Sequence, residues 1–305
     1  MRTLLAAIVV LIMGLVLNLA ATFSEAPEKK IKVLIVDGYS NHDWKKTTEL
    51  VKRILEPTGR FDVSVTTTPA TANAPGWDDW RPRFADYDVV IQNTNDIRGG
   101  PSWPKPVQES FEKYVKDGGG VFILHSANNA FANWPAYNDI IGLGWRNKNQ
   151  GVALSIDDKD GSVVQIPVGE GQNTGHGARI DAVLTRRGDH PIHKDLPRRW
   201  KTPGLEVYFY ARGPAKNMEV LSYAFDPKTK LNWPIEWVIT YGKGRVYNST
   251  FGHVWKGDEQ PPSMRCAGVQ TILIRALEWL ANRPVTYPVP KDFPDEKSLS
   301  LREKI

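Results

Sequence analysis

The sequence predicts an α/β domain in which a mostly parallel sheet is flanked by helices, with a β-rich excursion in the second half. Three β-loop-α units follow one another in the first half, and consecutive units of this kind imply parallel strands with right-handed crossovers. After residue 150 the apolar segments are short and β-rich, and no long helical pattern returns until Met264.

The elements follow in order. Ile31 to Val36 (IKVLIV) is an apolar run of the kind a doubly buried strand shows, and it ends in Asp37-Gly38-Tyr39-Ser40-Asn41-His42. Lys45 to Leu55 then has helical periodicity through Thr48, Leu50, Val51, Ile54 and Leu55. Phe61 to Thr67 alternates and is β-branched, so it reads as a second strand, and Asp88 to Asn93 reads as a third. Val107 to Lys116 is helical, with Phe111, Tyr114 and Val115 on one face. Gly118-Gly119-Gly120 releases the chain into Val121 to Leu124, a strand that ends at His125-Ser126-Ala127-Asn128-Asn129. Val152–Ile156, Ser162–Pro167 and Ala178–Thr185 are expected to form a ribbon or edge excursion. Met218–Ala224, Ile235–Tyr241 and Arg245–Phe251 read as strands, the last two joined as a hairpin by Gly242-Lys243-Gly244. One helix over Met264–Asn282 closes the domain, and Pro284 ends it.

Both ends lie outside that domain. Met1-Arg2-Thr3, an apolar run from Leu4 to Ala21 and the small residues before Phe23 match a secretory signal peptide over residues 1–22. The expectation is therefore an exported protein, periplasmic or extracellular, with no membrane attachment after cleavage; an uncleaved anchor is the alternative. Residues 283–305, with prolines and then charges, form a tail that is either a surface strap or disordered. Cys266 is the only cysteine, so an intramolecular disulfide is excluded and the core alone must hold the fold. The formal net charge of +5 is spread among interleaved acids, with no long basic run or nucleic-acid motif, which argues against nucleic acid as a partner.

Three histidines stand just past predicted strands: His42 after the first, His125 after the fourth and His253 after the last. Strand ends of one open sheet meet in space, and ligands bind there. Imidazole can serve as general base, general acid or ligand to a divalent metal. No compact metal motif is present, so a metal would need dispersed ligands, these histidines with Glu206 or Asp37. His176, amid glycines, reads as a loop residue. The strand-to-turn step at His125-Ser126 has the setting of a nucleophile elbow without its G-x-S-x-G pattern, and no cysteine stands there, which excludes cysteine acyl transfer at this point. Ser126 or Asn128 could equally cap a following helix. Of eleven tryptophans, Trp44, Trp103, Trp134, Trp145 and Trp255 fall in predicted loops near the site edge, where aromatic faces could stack on sugar rings; Trp80, Trp237 and Trp279 suit the core.

These residues carry a resemblance. Lys32 to Gly38 with His42, Gly118 to Ser126 (GGGVFILHS), Asp189-His190-Pro191-Ile192 with Leu196-Pro197, Leu205 to Tyr208, and Tyr241 to Val246 leading to Phe251-Gly252-His253 resemble the ThuA-like (trehalose-utilisation) family over residues 31–282. The resemblance implies a flavodoxin-like sheet of the class I glutamine amidotransferase-like superfamily with the amidotransferase cysteine missing. It further implies sugar catabolism through 3-keto-glycosides, in which a sugar oxidoreductase makes a ketone at C3 and a second enzyme breaks the glycosidic bond. On that reading His125 and His253 supply base and acid in either order, His42 and Glu206 bind or polarise the keto-sugar, and Asn128, Trp255 and Ser126 line the pocket. No nucleotide cofactor is implied, and a divalent metal held by His42, His125, Glu206 and His253 stays open. Glu236 departs from the family pattern and receives no role; His190 is expected to fix its turn. Two other readings stand beside this one: a non-catalytic carbohydrate-binding protein on the same fold, and a serine hydrolase using Ser126.

Overall fold

The computed structural model describes residues 29–97 and 99–303, so the signal-peptide expectation for residues 1–22 lies outside the described residues. The first half runs β1 (Ile31–Asp37), α1 (Trp44–Leu55), β2 (Phe61–Thr67), β3 (Val89–Gln92), α2 (Lys105–Lys116), β4 (Gly120–Ile123) and α3 (Pro135–Ile141). The β-rich part follows as β5 (Val152–Ile156), β6 (Val163–Ile166), β7 (Gly175–His176), β8 (Ile180–Arg186), β9 (Arg199–Leu205), β10 (Tyr208–Phe209), β11 (Arg212–Gly213), β12 (Met218–Asp226), β13 (Leu231–Tyr241) and β14 (Gly244–Ser249). Two helices, α4 (Pro262–Arg265) and α5 (Ala267–Leu280), complete the domain.

The central sheet has the order β2-β1-β3-β4-β14-β13-β12-β8-β9. Its first five strands are parallel, and the rest are antiparallel. The apolar run of β1 is buried on both faces because helices cover both sides. Leu50, Val51 and Ile54 of α1 and Ile272, Leu273 and Leu277 of α5 pack with Val33 and Ile35 on one face. Val107 and Phe111 of α2 and Tyr137 and Ile140 of α3 pack with Leu34, Val36 and Val90 on the other. Each such side chain contributes roughly 1.5–3 kcal/mol by leaving water. Gly120 lets the sheet meet α5 closely, since a Cβ there would stand 2.5 Å from the Leu280 carbonyl oxygen.

Several elements differ from expectation. The closing helix is broken at Cys266, whose backbone is extended and pairs with Leu301 of the tail. Ala267 N–H donates to the Ser300 carbonyl at 2.9 Å, so tail pairing takes the bonds a continuous helix would use. The tail is thus a strap, with Tyr287, Val289 and Phe293 packed on the core. Strand β9 was not anticipated; its Pro203 and Gly204 disguise it. In the central sheet β5, β6 and β11 lie off the main path, β7 and β10 form a separate two-stranded sheet, and β8 is part of the path, paired with β12 and β9. No helix follows His125 directly: residues His125–Asn129 form a 3-10 turn, and neither Ser126 nor Asn128 caps α3, which starts at Pro135. Among the described residues no helix is long and apolar enough to cross a membrane.

Candidate active site

The parallel strands deliver three imidazoles to one edge. His42 lies in the loop after β1, His125 begins the 3-10 turn after β4, and His253 lies in the segment after β14. Their ring centroids form a near-equilateral triangle with sides of 5.1 Å (His42–His125), 5.0 Å (His42–His253) and 5.1 Å (His125–His253). Glu206, between β9 and β10, arrives from the antiparallel half. Its carboxylate oxygens stand 3.2 Å from His253 Nε2 and 3.6 Å from His125 Nε2. All four side chains are buried, and one donor atom from each lies within 4.8 Å of the other three, which is the spacing of a set that could hold a divalent ion.

The turn under His125 is held hard. His125 itself has φ +37°, a left-handed backbone that costs a non-glycine residue energy and persists only where the surroundings impose it. The buried Arg146 guanidinium imposes it from one side, donating to the carbonyls of Asn129 at 3.1 Å and Ala130 at 2.5 Å, while Tyr137 Oη donates to the Ala127 carbonyl at 2.7 Å. The elbow setting read from the sequence is therefore present, with histidine at its apex.

Hydrogen bonds fix two of the ring tautomers. His125 Nδ1 faces the Thr250 carbonyl oxygen at 2.9 Å, and an oxygen of that kind only accepts, so Nδ1 carries the proton and Nε2 the lone pair. His42 Nδ1 faces Asn41 Oδ1 at 3.0 Å, an oxygen that also accepts from Asn95 Nδ2. His253 Nδ1 lies 3.3 Å from the guanidinium of Arg179. His125 Nε2 is buried with no hydrogen-bond partner among the described residues.

Burial sets the charge state. It pushes the His125 imidazole well below the ordinary histidine value, and the neighbouring His42 and His253 push the same way. Burial, then the Arg179 charge, bring His253 down to about 4. The Glu206 carboxyl is raised by burial, against His176 and Arg179. His125 and His253 are therefore neutral at pH 7, so their contacts with Glu206 are not ion pairs.

The remaining candidates divide. Trp255 stands at the rim, 37% exposed, with its ring edge-to-face to His42 at 5.1 Å and stacked near His253 at 6.1 Å. Asn128 is fully buried, and both polar atoms of its side chain lack hydrogen-bond partners among the described residues. Ser126 Oγ meets Ser40 Oγ at 3.3 Å. Asp37 is not part of the cluster: hydroxyls of Thr48 and Thr67 each donate to it at 2.7 Å. Trp103 and Trp134 are not site residues either, because the loops that bear them fold over the sheet and bury both rings against Phe111 and Phe131. Trp145 packs edge-on against Tyr208 and His176.

His176 is more than the loop residue that its glycine neighbours suggest. It pairs with Tyr208 through the β7–β10 bridge and places Nε2 3.7 Å from Glu206 Oε1. Arg179, which spans His253 and Asp258, was likewise missed. The only local signal was a histidine and an arginine in the glycine-rich stretch Gly175–Arg179, and loops of that kind on a rigid scaffold often carry function. A cavity of about 330 Å³ is lined by Ser40, Asn41, Thr71, Asn95 and Lys256 among others; neither Glu206 nor any of the clustered histidines lines it, and Asn41, whose Oδ1 meets His42 Nδ1 at 3.0 Å, links the two. A larger cavity of about 660 Å³ along β8 and β12 likewise has no histidine in its lining.

The chain matches the ThuA family, described as trehalose utilisation, over residues 32–280. Its fold is similar to the crystal structure of a protein described as ThuA-like from Parabacteroides merdae ATCC 43184, with a TM-score of 0.83 and 36% identity over 90% of this chain and 98% of that one. A cytoplasmic protein from Salmonella typhimurium LT2 gives a TM-score of 0.44 at 13% identity, covering 82% of this chain and 99% of that one. A β-galactosidase from Bacillus circulans sp. alkalophilus gives 0.46 at 12%, covering 83% and 32%. No curated protein matches the sequence.

Proposed function

This chain belongs to the ThuA family, and from its buried three-histidine, one-glutamate pocket we propose that it cleaves 3-keto-glycosides. The observation that carries this reading is the convergence of His42, His125 and His253 with Glu206, next to a cavity whose lining residue Asn41 bonds His42. A ketone at C3 acidifies the proton on C2. A neutral buried imidazole removes it, and the electron pair enters the C3 carbonyl as an enolate. When the carbonyl re-forms, the pair becomes a C1–C2 double bond and the aglycone leaves C1 with a proton from the conjugate acid. Water then adds across the double bond, so the net change is hydrolysis.

The expected division of labour gives base and acid to His125 and His253, whose depressed affinities for protons leave them unprotonated and ready to accept at neutral pH. His42 and Glu206 face the keto-sugar, and Trp255 covers it. The Ser40, Asn41 and Asn95 polar groups suit sugar hydroxyls. A sugar oxidoreductase would supply the ketone, and the protein would work outside the cytoplasm if residues 1–22 direct export. The serine-hydrolase reading lacks a base, since the partner of Ser126 Oγ is another serine. A purely binding role gives no account of clustered, desolvated imidazoles.

The test is release of a chromogenic aglycone from a 3-keto-glucoside, beside the unoxidised glucoside and with His125→Ala as control. Release from the keto-sugar alone, abolished in the variant, is expected. Equal release from both sugars, or from neither, refutes the reading.

A further inference from the structure

We infer that His42, His125, His253 and Glu206 bind one divalent transition-metal ion. The inference concerns the same pocket but does not rest on the keto-glycoside reading. Four observations carry it, beginning with the mutual approach of four buried donor atoms to within 4.8 Å. His125 Nε2 carries a buried lone pair to which no group among the described residues donates, and a buried polar atom left so costs free energy unless something else occupies the site.

The third observation is the outer shell. Imidazoles that ligate a metal through one nitrogen donate from the other to an oxygen, which fixes the ring and its tautomer. His125 does this to the Thr250 carbonyl at 2.9 Å and His42 to Asn41 Oδ1 at 3.0 Å, and Asn41 is itself held by Asn95 at 2.8 Å. The fourth is charge. Glu206 is a buried carboxylate whose closest partners are the imidazoles of His253, His125 and His176 at 3.2, 3.6 and 3.7 Å, and the nearest guanidinium, Arg179, belongs to a half-exposed side chain. A divalent cation supplies the missing positive charge. Three nitrogens and one oxygen select manganese, iron, cobalt, nickel or zinc over magnesium or calcium, which prefer oxygen alone.

Binding of the ion changes the roles of the pocket. With His125 and His253 committed as ligands, the nearest imidazole left for proton transfer is His176. It is 34% exposed, and its Nδ1 lies 2.6 Å from the Gly177 carbonyl, so the lone pair sits on Nε2. The ion itself would act as a Lewis acid toward the ketone and enolate oxygens.

The experiment uses untagged full-length protein, stripped with chelator and then titrated with Co²⁺, Mn²⁺ or Zn²⁺. Bound metal is counted by elemental analysis, Co²⁺ is followed by its visible absorption, and melting is recorded. One ion per chain with a raised melting temperature is expected. His125→Ala and Glu206→Gln should lose the ion while circular dichroism stays native, Asn41→Ala should weaken it by roughly 10–100-fold as outer-shell changes do, and His176→Gln should retain it. Binding below one-tenth of an equivalent by all three ions overturns the inference, as does undiminished binding in His125→Ala. Turnover of the keto-sugar by metal-free protein would remove the ion from the chemistry and leave the substrate reading standing. A bound ion with no turnover would do the reverse.

Discussion

Replacing Glu236 by alanine should destabilise the fold without touching the chemistry. Glu236 is completely buried on β13, where its carboxylate accepts from Ser222 Oγ at 2.5 Å, Tyr247 Oη at 2.7 Å and His193 Nε2 at 3.2 Å. Burial alone would raise its pKa, but the His193 charge and the three hydrogen bonds outweigh that and bring it below the ordinary value of 4.5. Removing the carboxylate leaves three buried donors without an acceptor. Each buried donor left without its acceptor costs roughly 1–3 kcal/mol, so losing the acceptor of three costs about 3–5 kcal/mol, and for a chain of this size each kcal/mol lowers Tm by roughly 2–4 °C. A fall in Tm on the order of 10 °C is therefore expected, with turnover per folded molecule unchanged, in parallel thermal melts and keto-sugar assays. The network also has a pH signature. A carboxyl whose folded pKa is depressed adds stability that is present above its unfolded value of 4.5 and is lost as pH falls through the folded value. Glu236→Gln should remove that part of the acid dependence. Loss of turnover with Tm unmoved would refute the reasoning and place Glu236 in the chemistry.

Two further outcomes follow from the histidine pocket. Because burial holds His253 near 4 against an unfolded value of 6.5, the unfolded chain takes up a proton that the folded one refuses; stability is whole above 6.5 and falls by about 3 kcal/mol as pH drops to 4. Urea denaturation of chelator-treated protein across that range checks it, and His253→Gln should flatten the curve by that amount; an unchanged slope would rule the account out. Trp255→Ala, which removes a half-exposed ring edge-on to His42 and stacked near His253, should raise KM for the keto-sugar by up to roughly tenfold with kcat little altered; a collapse of kcat at constant KM would show that the ring positions imidazoles instead.

The parallel half of the molecule was legible because its strands are short apolar runs and its helices are strongly periodic. Once β1, β4 and β14 are read as strands of one sheet, the residues just beyond them must share an edge, so His42, His125 and His253 could be grouped from chain order alone. Glu206 had no such signal: its neighbouring strand β9 carries Pro203 and Gly204, and its approach to the histidines depends on where β9 sits after β13, β12 and β8 have turned back. Before the family resemblance it stood only beside Asp37 as one of two possible carboxylate ligands to a metal. Trp103 and Trp134 failed for the opposite reason, since polar surroundings in sequence say nothing of a loop that folds its rings into an aromatic cluster.

The site residues that sequence reasoning passed over, His176 and Arg179, share one origin, the antiparallel half, and that half also completes the site. The parallel strands alone assemble three imidazoles; Glu206, His176 and Arg179 all come from the segments around β7 to β10. Those segments are anchored by buried arginines, with Arg212 donating to the carbonyls of Pro167 and Gln172 and Arg146 N–H and guanidinium tying Thr174 and the His125 turn into one network. The one carboxylate of the pocket and its nearest cationic and proton-transferring neighbours are thus delivered together. Docking of the β-rich extension against the sheet edge is the step that turns a triangle of histidines into a pocket with charge, a rim and a place for an ion.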